Sequence, residues 1–164
     1  MVALRFSVEA QLAGRPFTSF ALDVGQGDAL SGEAEWKHGQ ADLAFAGIER
    51  PRLPVYPLAN HFAEKLHTYT RPRERRTRVK DLLDLALILE DLRDDLPSAG
   101  TMRRTIEATF DRYGTHVQPA PLPAPPEDWA RPFEAEAQKL GLATTDIKDA
   151  HETVEDYLRT LAKQ

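Results

Sequence analysis

NHFAEKLHTYTRPRERRTRVKDLLDL, residues 60–85, decides how this chain is read. Phe62, Leu66 and Tyr69 recur at helical spacing, and Asn60 is placed to cap the helix they define. Pro72 interrupts the pattern inside TRPRERRTR. A second helix is expected from about Val79 to Leu92, apolar on most sides through Leu82, Leu83, Leu85, Ala86, Leu87, Ile88, Leu89 and Leu92. A helix apolar nearly all round belongs at the centre of its domain. Asp81 and Asp84 lie one turn apart on it, and a carboxylate buried there requires a cationic or hydrogen-bonding partner. Lys65, Arg71, Arg78 and Lys80 are the cations at hand. Lys65 also flanks the stripe of Phe62 and Tyr69, where a lysine becomes a fixed point charge suited to a triphosphate. A plainer reading stays open. Asp81 and Asp84 then simply answer the dipole of a helix N-terminus, and the arginines form a solvated loop.

Upstream of this stretch the pattern changes to period two. Leu4, Phe6, Val8, Ala10 and Leu12 share one parity, and Phe20, Leu22 and Val24 repeat it after the turn signal Gly14-Arg15-Pro16. An antiparallel hairpin is expected, ended by Gly25-Gln26-Gly27-Asp28. Asp23 lies on its polar face, just before two glycines. That is a usual place for a carboxylate that holds Mg²⁺, and equally a usual place for a solvated aspartate before a turn. Residues 29–50 read as loop-rich. Leu53–Tyr56 reads as a short edge strand, because Pro51, Pro54 and Pro57 exclude a central one. Downstream, a third helix is expected over about 98–112. Six prolines within residues 119–132 then predict a stiff, extended connector outside the core. Two last helices follow, near 127–140 and 145–162, split at Gly141.

The chain has 164 residues and no cysteine, which removes disulfides, thiol catalysis and cysteine-ligated metal. It has no 18-residue apolar run and no signal-type N-terminus, so a cytoplasmic protein that does not span a membrane is expected. The five histidines have no metal-ligand spacing: His61 and His67 are six apart, and His38, His116 and His151 stand alone. The net charge of −5 hides an asymmetry. Residues 49–80 hold nine Lys/Arg against three acids, a segment of +6 on a remainder of −11. A local cationic patch on an acidic body points to a directed anion site rather than a nucleic-acid coat.

FALDVGQGD, then VYPL, then HFAEKLHTYTRPRERRTRVKDLLDL, in that order, resemble the AbiEii/AbiGii nucleotidyltransferase toxin family. The likeness covers about residues 2–92 and is sharpest over 56–85. It implies a polymerase-β-like nucleotidyltransferase core that uses Mg²⁺ and an NTP. It further implies a toxin–antitoxin or abortive-infection role, with NMP transfer to RNA, in some members the 3′ end of tRNA, or to a protein hydroxyl. By the resemblance Asp23 matches the metal-binding strand acid, and Lys65 and Asp81 match the catalytic lysine and the aspartate of the Lys-Asp-Leu motif. Arg71, Arg78 and Lys80 are the expected substrate-binding surface. The family's Gly-Ser turn and Asp-x-Asp pair do not occur before Asp23 in this sequence, so part of the core is expected to be missing. The alternative is therefore a catalytically inactive relative that binds RNA, nucleotide or a cognate antitoxin.

The expected architecture is α+β. Residues 1–57 form a strand-rich remnant of the core, a small antiparallel sheet over 2–24 that 53–56 could join. Residues 58–116 form a helical bundle against which this sheet packs, and 117–164 the connector and C-terminal helices. Missing neighbours would leave a sheet edge or apolar patch open to a second copy or a partner.

Overall fold

The computed structural model describes residues 2–26, 33–72 and 78–163. Arg73, Arg75 and Arg76 of the arginine run, and Gly27 and Asp28 of the second glycine turn, lie outside the described residues. The fold is α+β, with two small antiparallel sheets and five helices among the described residues. The chain divides into two compact units, Met1–Leu30 and Ser31–Gln164.

The first unit is the hairpin that the alternation predicts. Strand β1 (Val2–Leu12) pairs antiparallel with β2 (Arg15–Gln26). The turn is one step earlier than the sequence signal: Ala13 and Gly14 both take positive φ, 48° and 74°. That is the left-handed pair a two-residue primed turn demands. The register slips between Ala10 and Gln11, opposite Thr18 and Pro16, which leaves Phe17 as the extra residue of a bulge. Pro16 has no N–H to give a ladder, so the irregularity falls where a bond was already missing. Leu4 faces Val24, Phe6 faces Leu22 and Val8 faces Phe20, so the apolar parity forms one continuous side.

The second unit begins with β3 (Glu35–His38) and β4 (Arg52–Val55), paired antiparallel. The short edge strand read at Leu53–Tyr56 is present as β4, and joining the first sheet was one option for it. Instead β4 pairs with β3, inside the stretch read as loop. Four residues of mixed polarity give no period to read. The pair is pinned by Arg52 stacked 5.2 Å over the Trp36 ring and by Gly39 N donating to the Pro51 carbonyl at 2.8 Å.

Five helices follow: α1 (Leu58–Thr70), α2 (Val79–Asp91), α3 (Ala99–Tyr113), α4 (Ala130–Leu140) and α5 (Ile147–Ala162). Helix α2 is central, packing on α1, α4 and α5, as its all-round apolarity requires. Phe62 and Leu66 of α1, Leu82 and Leu85 of α2, Met102 of α3, Phe133 of α4 and Val154 of α5 are fully buried together. Asn60 does not cap α1. The helix starts three residues earlier, with Pro57 in the cap position, and Asn60 is buried inside it. Pro57, with φ fixed at −58°, is already set for a helix start. The proline-rich segment is a second correction. It is extended but not outside the core: Leu122 and Trp129 are buried, and the Pro123 carbonyl accepts from the Tyr69 hydroxyl at 2.7 Å. Gly141 ends α4 in the left-handed conformation and separates it from α5, where the sequence placed the split.

Candidate anion-binding site

The site is built on the two faces that α1 and α2 present to each other. Lys65 points from α1 toward α2, its ammonium 2.5 Å from Asp84 Oδ2 and 3.7 Å from Asp81 Oδ1. Asp81 is 3% exposed, and its other oxygen lies 3.7 Å from Arg78 Nε. Asp81 and Asp84 therefore share a face, as their spacing requires, and Lys65 bridges them. Asp81 is also in the first turn of α2, so the helix dipole and the ion pair act on it together. A buried carboxylate is tolerated only with such compensation.

Beside this cluster opens a pocket of about 290 Å³. Lys65, Arg71 and Arg78 supply its positive wall, Asp81 and Glu64 are its acids, and His67, Thr68 and Tyr113 complete the lining. Of the predicted site residues, Lys65, Asp81, Arg71 and Arg78 thus come together. Lys80 is exposed and its charge acts on Glu136 of α4, away from the pocket. A larger hollow of about 540 Å³ lies along the end of α3, but its lining includes the acids Glu107 and Asp111 and no lysine or arginine, so it does not suit an anion.

Two networks that the sequence did not announce support the pocket. Glu64 Oε1 accepts from the Tyr56 hydroxyl at 2.6 Å and from Arg112 Nη2 at 3.0 Å. Burial, and then the Glu64 carboxylate, push the Tyr56 hydroxyl up to about 12, so it remains a donor. Behind the pocket, His67 stacks on Tyr113 at 4.5 Å and lies 4.8 Å from His116, which is therefore not isolated. His67 Nε2 is hydrogen-bonded to Thr115 Oγ1 at 2.8 Å, Thr115 Oγ1 to His116 Nδ1 at 3.0 Å, and His116 Nε2 to Thr70 Oγ1 at 2.8 Å. Burial, the neighbouring imidazole and the cations Arg71 and Arg112 bring His67 down to about 4. Burial and Arg71 lower His116 as well. Both rings are neutral at neutral pH. Arg112, Thr115 and His116 lie some 48 residues from their α1 partners, a separation no local pattern reveals.

Asp23 belongs to the hairpin unit. It stands directly opposite Arg5, and both of its oxygens accept from that guanidinium, at 2.6 and 2.7 Å. The bidentate pair holds the Asp23 carboxyl below its usual range. Among the described residues no group of three or more His, Asp or Glu side chains is placed to hold a metal ion. The described donors thus do not fit Mg²⁺ on their own.

The chain is thus α+β, and its helical unit holds a lysine between two aspartates at the rim of a cationic pocket. The comparison with known families makes the class specific. The sequence matches the family described as nucleotidyl transferase AbiEii toxin, type IV toxin–antitoxin system, over residues 2–160, and the chain belongs to that family. Among curated proteins no significant match is found. A nucleotidyltransferase-type role in a toxin–antitoxin system, and with it an antitoxin as the class of partner, follows from membership. Among the described residues no helix is long and apolar enough to cross a membrane.

Proposed function

We propose that the pocket walled by Lys65, Arg71 and Arg78 receives the phosphates of an NTP, and that the protein transfers an NMP to an RNA hydroxyl in the cytoplasm. The observation that carries this reading is the position of Lys65: an ammonium held by Asp84 and the buried Asp81, at the edge of a cavity with two arginines. A lysine fixed in this way meets a phosphate without first being ordered, which is how preorganised charge favours phosphoryl transfer. Asp81 acts through Lys65, as its orienting carboxylate. Mg²⁺ enters only with the nucleotide, as the counter-ion of its polyphosphate. Incubation of labelled NTP with total RNA tests the proposal. Lys65→Ala is expected to lower incorporation by about 10²-fold or more. Incorporation equal to the unaltered protein would remove Lys65 from the chemistry.

A second reading is favoured by the Arg5–Asp23 pair, which occupies the acid expected to hold metal. In that reading the chain binds nucleotide, RNA or antitoxin without turnover. Filter binding that persists in the absence of any incorporation selects it. If the ligand of this second reading is RNA, Arg71→Ala and Arg78→Ala each reduce the salt dependence of RNA binding by about one phosphate contact.

A further inference from the structure

The two carboxylates that line the cationic pocket are not in the same state. Asp81 is committed to Lys65 and Arg78. Glu64 is committed through one oxygen. Its Oε1 takes both the Tyr56 hydroxyl and Arg112, while Oε2 accepts no hydrogen bond among the described residues, and the side chain is 31% exposed. Two donors from different elements, the end of β4 and α3, therefore hold Oε1, and Oε2 keeps its acceptor capacity on a residue that lines the pocket. A free anionic oxygen beside Lys65, Arg71 and Arg78 works against a bare phosphate. It does suit a ligand that brings neutral O–H donors along with its phosphates, since a carboxylate is an acceptor only.

We infer that Glu64 reads the ribose hydroxyls of the nucleotide, accepting from the sugar diol through Oε2 while the cations take the phosphates. This rests on the reading of the pocket as a nucleotide site and assigns the specificity for a ribonucleoside within it. Glu64 is a specificity-determining residue here, and Tyr56 and Arg112 are positioning residues that act through it.

The test is equilibrium binding to the full chain of three probes in EDTA: inorganic triphosphate, ATP and 2′,3′-dideoxy-ATP. Triphosphate is expected to bind, and ATP to bind about tenfold more tightly than dideoxy-ATP, the worth of one or two charge-assisted hydrogen bonds. Glu64→Gln keeps an oxygen for Tyr56 and Arg112 and converts the free oxygen to an amide donor. In this variant the ATP preference is expected to fall to about twofold, with triphosphate binding unchanged or tighter because a negative charge is gone. Equal affinity of the unaltered chain for ATP and dideoxy-ATP overturns the inference without any variant. So does a preference that survives in a Glu64→Gln protein with an unchanged melting temperature. Failure of triphosphate itself to bind overturns the reading of the pocket, and the inference with it.

Discussion

At the scale of single residues, burial sets the consequences. Lys65→Met removes the ammonium that bridges Asp81 and Asp84 and leaves the two carboxylates on one helix face without it. Stability is expected to fall by about 2 kcal/mol. Adding Asp84→Asn should restore part of it, a double-mutant cycle readable in urea melts. His67 gives a pH signature. Its value in the folded chain, about 4, lies below the ordinary histidine range, so the unfolded chain takes up a proton first. Its contribution is complete above about pH 6.5 and is lost as pH falls toward 4, on the order of 2 kcal/mol. Urea melts at pH 7.5 and pH 5 should show the loss. His67→Phe, which removes the titrating ring, should flatten the slope.

At the scale of elements, helix α2 was readable because its pattern was unambiguous. Eight apolar residues within one helix length admit no exposed face, and Leu82 and Leu85 are indeed fully buried. Leu85→Ala is expected to cost about 2–5 kcal/mol in a urea melt. The proline-rich segment was misread because proline content reports backbone stiffness and says nothing about what the intervening side chains touch. Leu122 and Trp129 are its anchors, and Tyr69 stacks edgewise on Trp129 at 6.2 Å while holding the Pro123 carbonyl. Trp129→Ala should therefore behave as a core truncation, lowering stability by about 3–5 kcal/mol. A loss below 1 kcal/mol would restore the picture of a loose connector. The short pair β3–β4 was missed because its register is held by Arg52 on Trp36 and by a close approach of Gly39 to Pro51, neither of which is periodic.

At the scale of the whole molecule, the two units differ in how they are held. The helical unit has a continuous buried core. The hairpin presents Leu4, Phe6, Phe20, Leu22 and Val24 roughly half exposed, and a two-stranded ribbon gains little from such a face in water. Amide hydrogen exchange is expected to be orders of magnitude faster in β1 and β2 than in α2. Equal protection would mean that the hairpin's apolar side is covered in solution. The site was legible in the same uneven way. Lys65, Asp81, Arg71 and Arg78 came from one stretch of sequence and meet in one pocket. Glu64's pairing with Arg112, and the imidazole pair, depend on α3 returning to α1, which only the assembled chain brings about.

The bonded series behind the pocket has a polarity. Thr70 spends its single hydroxyl proton on the Leu66 carbonyl, 2.9 Å away, and a helical carbonyl has none to return. His116 must then donate from Nε2, which leaves Nδ1 to accept from Thr115, and Thr115 in turn accepts from His67 Nε2. Each neutral ring is locked in one tautomer by a link that ends on the backbone of α1. Severing the middle with Thr115→Val should free His67 to exchange tautomers while Thr70 still fixes His116, visible as averaging of the His67 ring ¹⁵N resonances alone in a protein whose melting curve hardly moves.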